Sequence, residues 1–362
     1  MNKIKELQQR VYGADMGANY GLLITSGENR RYFTQFPSSD GVLAVTESDA
    51  LFLTDSRYIE EARNVIKDVR VEEQKDTWKQ LKEFYQDRNG ANLIVPEYEK
   101  ITVAQMERMK KSLPEMQFVG PECDRLDKTI EALRMVKSDR EVEDIVKAQR
   151  IAEEALQHVL GFIEPGKTEK EIALELEYYM LTHGAEALSF ETIAVSGPNT
   201  SKPHGVPGER KVQKGDFITM DFGAVYHGLH SDMTRTVALG AVSEKQKEVY
   251  NVVRDAKNAV EEKIGSGMAC ADADKLARDH IASCGYGDYF GHGTGHGVGY
   301  EIHEMPYVSP KSKSVLAPGN VVTDEPGIYL PGEFGVRIED MVLITETGSR
   351  LLTAVTDELI IL

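Results

Sequence analysis

The sequence predicts an α+β protein in two parts, a small α/β domain followed by a larger domain in which helices pack on sheet. Three observations predict it. Residues 1 to about 125 alternate short apolar runs with polar helical stretches. Three later helices each open on a capping box of their own, and two strand-like runs in the second part are joined by a turn.

In chain order, Gly21–Thr25, Gly41–Val45 and Ala50–Thr54 are apolar runs bounded by turn residues, as buried strands are. Arg57–Val65 and Trp78–Arg88 read as helices between and after them. The texture changes near Leu126. Ser138-Asp139-Arg140-Glu141 places a hydroxyl at an N-cap and a carboxylate three residues on, and Val142, Ile145, Ala152, Leu156 and Val159 follow at mostly helical spacing toward Gly161. Thr168-Glu169-Lys170-Glu171 and Ser243-Glu244-Lys245-Gln246 open two more helices by the same device. The division falls between residues 120 and 137, and we set the domains at 1–127 and 128–362. At ~100–200 residues per domain, 362 residues make about two.

Composition narrows the function classes. The net charge of −17, from 59 acidic and 42 basic residues, leaves no basic footprint for nucleic acid. Cys123, Cys270 and Cys284 are odd in number and widely spaced, which suits free thiols in a reducing compartment. The N-terminal run Met1–Leu7 has no apolar stretch behind its lysines, and no run of about 18 apolar residues exists. The expectation is a cytoplasmic protein without nucleic-acid or membrane partners.

Chemistry gathers in the second part. Asp216–Thr236 reads as two strands joined around His227-Gly228, with Asp221 and Asp232 inside apolar runs. Aspartate is depleted from strand interiors, and a buried carboxylate is costly unless a cation stands beside it. The plainer reading is that both cap turns at strand ends. Next, Gly291–Glu304 carries His292, His296 and His303 among glycines. Imidazole is the commonest metal ligand, and glycine lets backbone approach an ion closely. No G-x-G-x-x-G register fits, and His303-Glu304 is not an H-E-x-x-H helix, since the second histidine is missing and Pro306 intervenes. Glu325 ends the run Val321-Val322-Thr323, and Glu339 lies in an alternating segment that runs on to Ile344. Singly, each glutamate reads as a turn or surface carboxylate. Together, four carboxylates and one imidazole suit Mn²⁺, Co²⁺ or Zn²⁺.

The ordered set Asp221-Phe222-Gly223-Ala224, Ser231-Asp232-Met233-Thr234-Arg235-Thr236, Gly291–Gly299, Asp324-Glu325-Pro326-Gly327 and Gly335–Asp340 resembles the pita-bread metallopeptidases: Xaa-Pro dipeptidase (prolidase), Xaa-Pro aminopeptidase and methionine aminopeptidase. The resemblance runs from about residue 130 to the C-terminus. The preceding part is similar to the domain that precedes the catalytic one in prolidases and creatinase, and methionine aminopeptidase usually lacks that domain. The resemblance implies two divalent ions, Mn²⁺ by preference. Asp221 and Asp232 would bind one, His296 and Glu325 would complete the other, and Asp232 and Glu339 would bridge. A shared hydroxide would attack the scissile carbonyl, Glu325 would accept its proton and His303 would steady the oxyanion. His204 would lie near substrate and leaving group, His292 in or beside the substrate pocket, and Arg337 would orient a ligand carboxylate such as Asp221.

Asp324 departs from the pattern, because many relatives carry an apolar residue there. On a strand it would point away from Glu325 and act as a bystander. His227 and His230 receive no role. The implied substrates are small peptides with proline second, and homodimerisation is the expected assembly. Three alternatives stay open: an aminopeptidase acting on longer peptides, a pita-bread module that binds without turnover, and a metal-free creatinase relative. Retention of all five ligands speaks against the last two.

Overall fold

The computed structural model describes residues 2–13 and 20–362; Met1, part of the N-terminal run read above, and residues 14–19 lie outside it. The chain divides into two compact units, Met1–Arg134 and Met135–Leu362.

The first unit is built on one mixed sheet. Its strands are β1 (Tyr20–Ile24), β2 (Val42–Val45), β3 (Ala50–Thr54), β4 (Arg70–Glu73), β5 (Leu93–Pro96) and β6 (Gln117–Phe118), in the order β4-β3-β2-β1-β5-β6. The three apolar runs of the sequence are β1, β2 and β3, and Leu23, Ala44, Leu51 and Leu53 from them meet in one core. The expected helix Trp78–Arg88 differs in kind. It starts as α-helix at Thr77–Lys82 and continues as π-helix over Glu83–Arg88. The wider turn goes with the burial of two consecutive aromatic rings, Phe84 and Tyr85.

In the second unit the three capped helices form as expected: α1 (Asp139–Leu160), α2 (Glu169–Thr182) and α3 (Glu244–Glu261). Each has its capping box closed in both directions. A fourth helix, α4 (Cys270–Ser283), has no side-chain cap at its start and went unread in the sequence. The sheet strands that matter for the site are β7 (Ile193–Ser196), β8 (Phe217–Phe222) and β9 (Met233–Ala238), in the order β9-β8-β7. A second sheet holds β10 (Gly295–Gly297), β11 (Glu304–Val308), β12 (Val321–Asp324), β13 (Asp340–Thr345) and β14 (Gly348–Leu351), in the order β11-β10-β12-β13-β14. Two core clusters tie helices to sheets. One joins Leu156 and Leu176 of α1 and α2 to Met220 and Phe222; the other joins Val253 and Ile281 of α3 and α4 to Val322 and Val342.

The Asp216–Thr236 segment is not a plain two-strand hairpin. Each arm breaks, and the tips Ala224–Tyr226 and Leu229–His230 pair in a separate sheet. The break lies at Gly223, where a Cβ would sit 1.9 Å from the Ser231 carbonyl oxygen. Ser231 Oγ accepts from Ala224 N at 3.0 Å and takes up the slack in the ladder. The tip itself turns at His227 (φ 49°) and Gly228 (φ 79°), the left-handed pair of a type I′ turn. Asp221 is thus the penultimate residue of β8, and Asp232 lies in the break before β9, neither in mid-strand. Glu339 also differs from expectation: it sits in the gap between Phe334–Arg337 and β13.

Ser138→Ala removes the hydroxyl that accepts from Glu141 N. It should cost about 1 kcal/mol, or roughly 2–4 °C in the unfolding midpoint of a unit this size. Calorimetric Tm measures it, and an unchanged midpoint would show that the cap adds nothing.

Candidate metal centre

Strand alternation sorts β8 and β9 into two faces. Ile218, Met220 and Phe222 enter the core, while Asp221 pairs across the ladder with Thr234 and Thr219 with Thr236 on the polar face. Thr219 and Thr236 share a hydroxyl hydrogen bond of 2.9 Å. The break after Ser231 frees Asp232 to turn toward the second sheet. There Gly295 lets the chain pass the Thr323 carbonyl oxygen, which a Cβ would meet at 2.0 Å, and His296 follows.

Asp232, His296 and Glu339, all buried, offer ligand atoms within 4.8 Å of one another. His296 Nε2 is 3.5 Å from Asp232 Oδ2 and 3.5 Å from Glu325 Oε1. The tautomer follows from the other ring nitrogen: His296 Nδ1 donates to the Gly297 carbonyl at 3.1 Å, so Nε2 presents a bare lone pair. Burial, aided by the nearby His303 ring, lowers the His296 pKa to about 4 and keeps it neutral. Burial and the neighbouring Asp221 and Glu325 push Asp232 well above the carboxylate range; burial and Asp232 do the same to Glu339. Glu325 is pushed up to about 8 by burial, with Asp221 adding to it. Asp221 Oδ1 is buried without a hydrogen-bond partner. Acceptors thus face acceptors with no donor between them. A divalent cation supplies the missing charge, and the oxygen-rich set with one imidazole fits such an ion.

Donors hold these ligands from behind. Arg337 Nη2 donates to Asp221 Oδ2 at 2.5 Å, and its Nε donates to Thr234 Oγ1 at 3.1 Å. Thr234 Oγ1 in turn donates to Glu339 Oε2 at 2.7 Å. Thr323 Oγ1 accepts from His296 N at 3.1 Å and donates to Glu325 Oε1 at 3.3 Å. Arg235 Nη1 donates to the Glu339 carbonyl at 2.7 Å, while its Nη2 bonds Asp340 Oδ1 at 2.6 Å.

The remaining histidines surround this group. The His303 ring lies 4.3 Å from that of His296, edge to face, and His303 is exposed. His292 Nδ1 donates to the Gly293 carbonyl at 2.8 Å, and Nε2 accepts from Tyr329 Oη at 2.9 Å. Burial lowers its pKa to about 4, with Arg337 and His204 adding to the shift. Tyr329 Oη also accepts from Arg337 Nη1 at 2.9 Å, so one chain of bonds runs from Asp221 through Arg337 and Tyr329 to His292. His204 is exposed and adds to the field at both His292 and His303.

Tyr329, Thr234 and Thr323 went unassigned in the sequence. Thr234 had a usable signal, since it lies two residues past Asp232 in extended chain and so shares its side. Asp324 faces away from Glu325 toward Glu261, Lys257 and Asp340, and both its oxygens are buried without partners.

Residues 143–346 match metallopeptidase family M24, and residues 6–136 match the creatinase/prolidase N-terminal domain. The chain belongs to metallopeptidase family M24. It is 42% identical to the uncharacterized peptidase YqhT of Bacillus subtilis over 342 residues, 94% of this chain and 96% of that protein. Its structure is similar to an Xaa-Pro dipeptidase from Bacillus anthracis, with a TM-score of 0.92 and 39% identity over 99% of both chains. It is also similar to an X-Pro aminopeptidase from Thermotoga maritima, with a TM-score of 0.88 and 35% identity over 94% of this chain and 97% of that one. The expected pita-bread architecture behind a creatinase-type domain is therefore the fold of this M24 chain, and the chain is a peptidase; the reading as a binding module without turnover is dropped. Family M24 implies divalent metal ions.

Protons and cations compete for the same oxygens. In the metal-free protein Glu325 holds a proton up to about pH 8, against a usual value of 4.5 that the unfolded chain keeps. Through Glu325 the native state binds more protons than the unfolded one across that window. His292 and His296, kept neutral with pKa values of about 4, offset this below the usual imidazole value of 6.5. Stability should therefore fall as pH rises from 6.5 to about 8. Calorimetry of chelated protein from about pH 6.5 to about pH 8 reads this directly, and saturating Mn²⁺ should abolish the slope with proton release. A chelated protein that gains stability steadily over that range contradicts the assignment.

Proposed function

We propose that the chain hydrolyses the bond between an N-terminal residue and a following proline, as an Xaa-Pro dipeptidase served by two divalent cations. The observation that carries this reading is the meeting of Asp232, His296 and Glu339 around a point without a donor, in a chain similar over nearly its whole length to an Xaa-Pro dipeptidase. Asp221, Asp232, His296, Glu325 and Glu339 would hold the cations between them. Mn²⁺ suits this oxygen-rich set best, with Co²⁺ or Zn²⁺ as substitutes. When bound, such a pair polarises the scissile carbonyl and lowers the pKa of the attacking water.

The chain's own groups do the rest. Glu325 takes the proton of the attacking water on a carboxylate oxygen. His303, edge-on to His296, donates to the carbonyl oxygen as it gains charge. His204 stands on the substrate and leaving-group side, and His292, kept neutral, lines the pocket. Arg337 keeps Asp221 aimed. A proline amide has no N–H and resists general peptidases, which gives a dedicated site its purpose. The enzyme works as a homodimer, and three unpaired cysteines suit the reducing cytoplasm. No helix among the described residues is long and apolar enough to cross a membrane.

A second reading, an Xaa-Pro aminopeptidase for longer peptides, is favoured by the likeness to the Thermotoga enzyme. Assays on Xaa-Pro dipeptides and Xaa-Pro-Yaa tripeptides, before and after chelation and Mn²⁺ re-addition, separate the two. Dipeptide turnover should vanish on chelation and return with metal. A strong tripeptide preference would replace the first reading by the second, and turnover untouched by exhaustive chelation would sink both. His303→Ala should lower kcat by roughly 10²–10³ while metal content holds. Steady-state kinetics with metal analysis checks it, and a kcat within twofold of the parent would remove His303 from the mechanism.

A further inference from the structure

The segment that carries His204 is held on both sides by a single carboxylate. We propose that Glu169, remote in sequence from every metal ligand, is a positioning residue for His204; the inference rests on the role of His204 proposed above. Glu169 is the first residue of α2 and is 1% exposed. Its Oε1 accepts from Ser196 N (2.7 Å), Ser196 Oγ (2.9 Å) and Asn199 Nδ2 (3.0 Å), all before His204. Its Oε2 accepts from Gly208 N at 3.1 Å, after His204. Backbone bonds from Glu169 N to Arg210 O and from Lys170 N to Gly208 O fasten the same return.

Between these anchors the chain is short and folded on itself. Lys202 N donates to Asn199 O at 3.1 Å, and Gly205 N donates to Lys202 O at 3.0 Å. Arg337 Nη1 donates to the Pro203 carbonyl at 3.2 Å, which ties the residue beside His204 to the guanidinium that holds Asp221. His204 therefore sits on a span gripped by Glu169 at its two ends and by Arg337 in its middle.

A glutamate in the first turn of a helix has an ordinary explanation, attraction to the helix dipole. Glu171 of the same helix already does that work: it is exposed and closes the capping box with Thr168. Glu169 instead turns inward, where burying a charge is costly unless donors surround it. Every group bonded to it donates. Ser196 Oγ also accepts from Arg210 Nη1 at 2.6 Å, which brings a cation up behind the carboxylate. A glutamine would turn an N–H₂ toward N–H donors, so the grip requires the carboxylate.

The test compares Glu169→Gln, His204→Ala and the double variant, all metal-loaded, on an Xaa-Pro dipeptide, with hydrogen exchange of residues 200–208. Glu169→Gln should lower kcat/KM about tenfold in the parent and less than about twofold in the His204→Ala background. Exchange across 200–208 should accelerate at least tenfold, while residues 320–345 stay unchanged. Equal losses in both backgrounds overturn the inference, because Glu169 then acts elsewhere. Unchanged exchange overturns the grip itself. Full activity of His204→Ala overturns the catalytic role of His204 and this inference with it, whereas the exchange result stands apart from any activity. If Glu169→Gln does not fold, Asn199→Ala removes one donor and keeps the carboxylate, and the same pattern should appear at about threefold; additive losses there count equally against the inference.

Discussion

Like groups forced together dominate this molecule. Asp232, Glu339, Glu325 and the lone pair of His296 face one another at contact range, with Asp221 close enough to raise the pKa of its neighbours. Left alone, such a set would splay or fill with protons. The fold keeps it together by bonding Asp221, Glu339, Glu325 and His296 to neighbouring groups. Arg337 and Thr234 link Asp221 to Glu339, Thr323 links His296 to Glu325, and Arg235 grips the backbone of Glu339. These bonds hold the ligand set around a point that a cation can occupy.

That constraint explains why the strands break where they do. A regular ladder would alternate Asp221 and Asp232 into fixed registers set by pleat alone. The slip at Gly223 and Ser231 lets Asp232 leave the ladder and meet residues of the other sheet. Glu339 occupies the same kind of gap on the opposite side, just before β13. Irregular backbone thus supplies aim, and regular sheet on either side supplies rigidity.

Buried carboxylates serve a second purpose away from the centre. Asp274 of α4 is 1% exposed and accepts from Thr294 N and Oγ1, while its partner Arg278 donates to the His292 carbonyl at 2.7 Å. Glu169 of α2 treats the His204 span in the same manner. In the ligand set, carboxylates lack donors on one side. In these clamps donors satisfy them fully. The same residue type becomes a metal ligand or a structural staple according to what its environment offers.

The sequence by itself determined the three capping-box helices of the second unit, the apolar strands and the ordered motif set, because each depends on neighbours within a few residues. Ser138, Thr168 and Ser243 needed nothing beyond their own N3 partners to start a helix. α4 has no such local signal at Ala269 and was invisible. The tertiary structure alone decided which side chains share a face across elements. Tyr329 joins His292 to Arg337, and Thr234 joins Arg337 to Glu339, across separations that no periodicity reports. It also decided that Asp324 turns toward Glu261, Lys257 and Asp340 with neither oxygen bonded. A one-residue step along a strand reverses the side chain's face, and what waits on that face is set by packing.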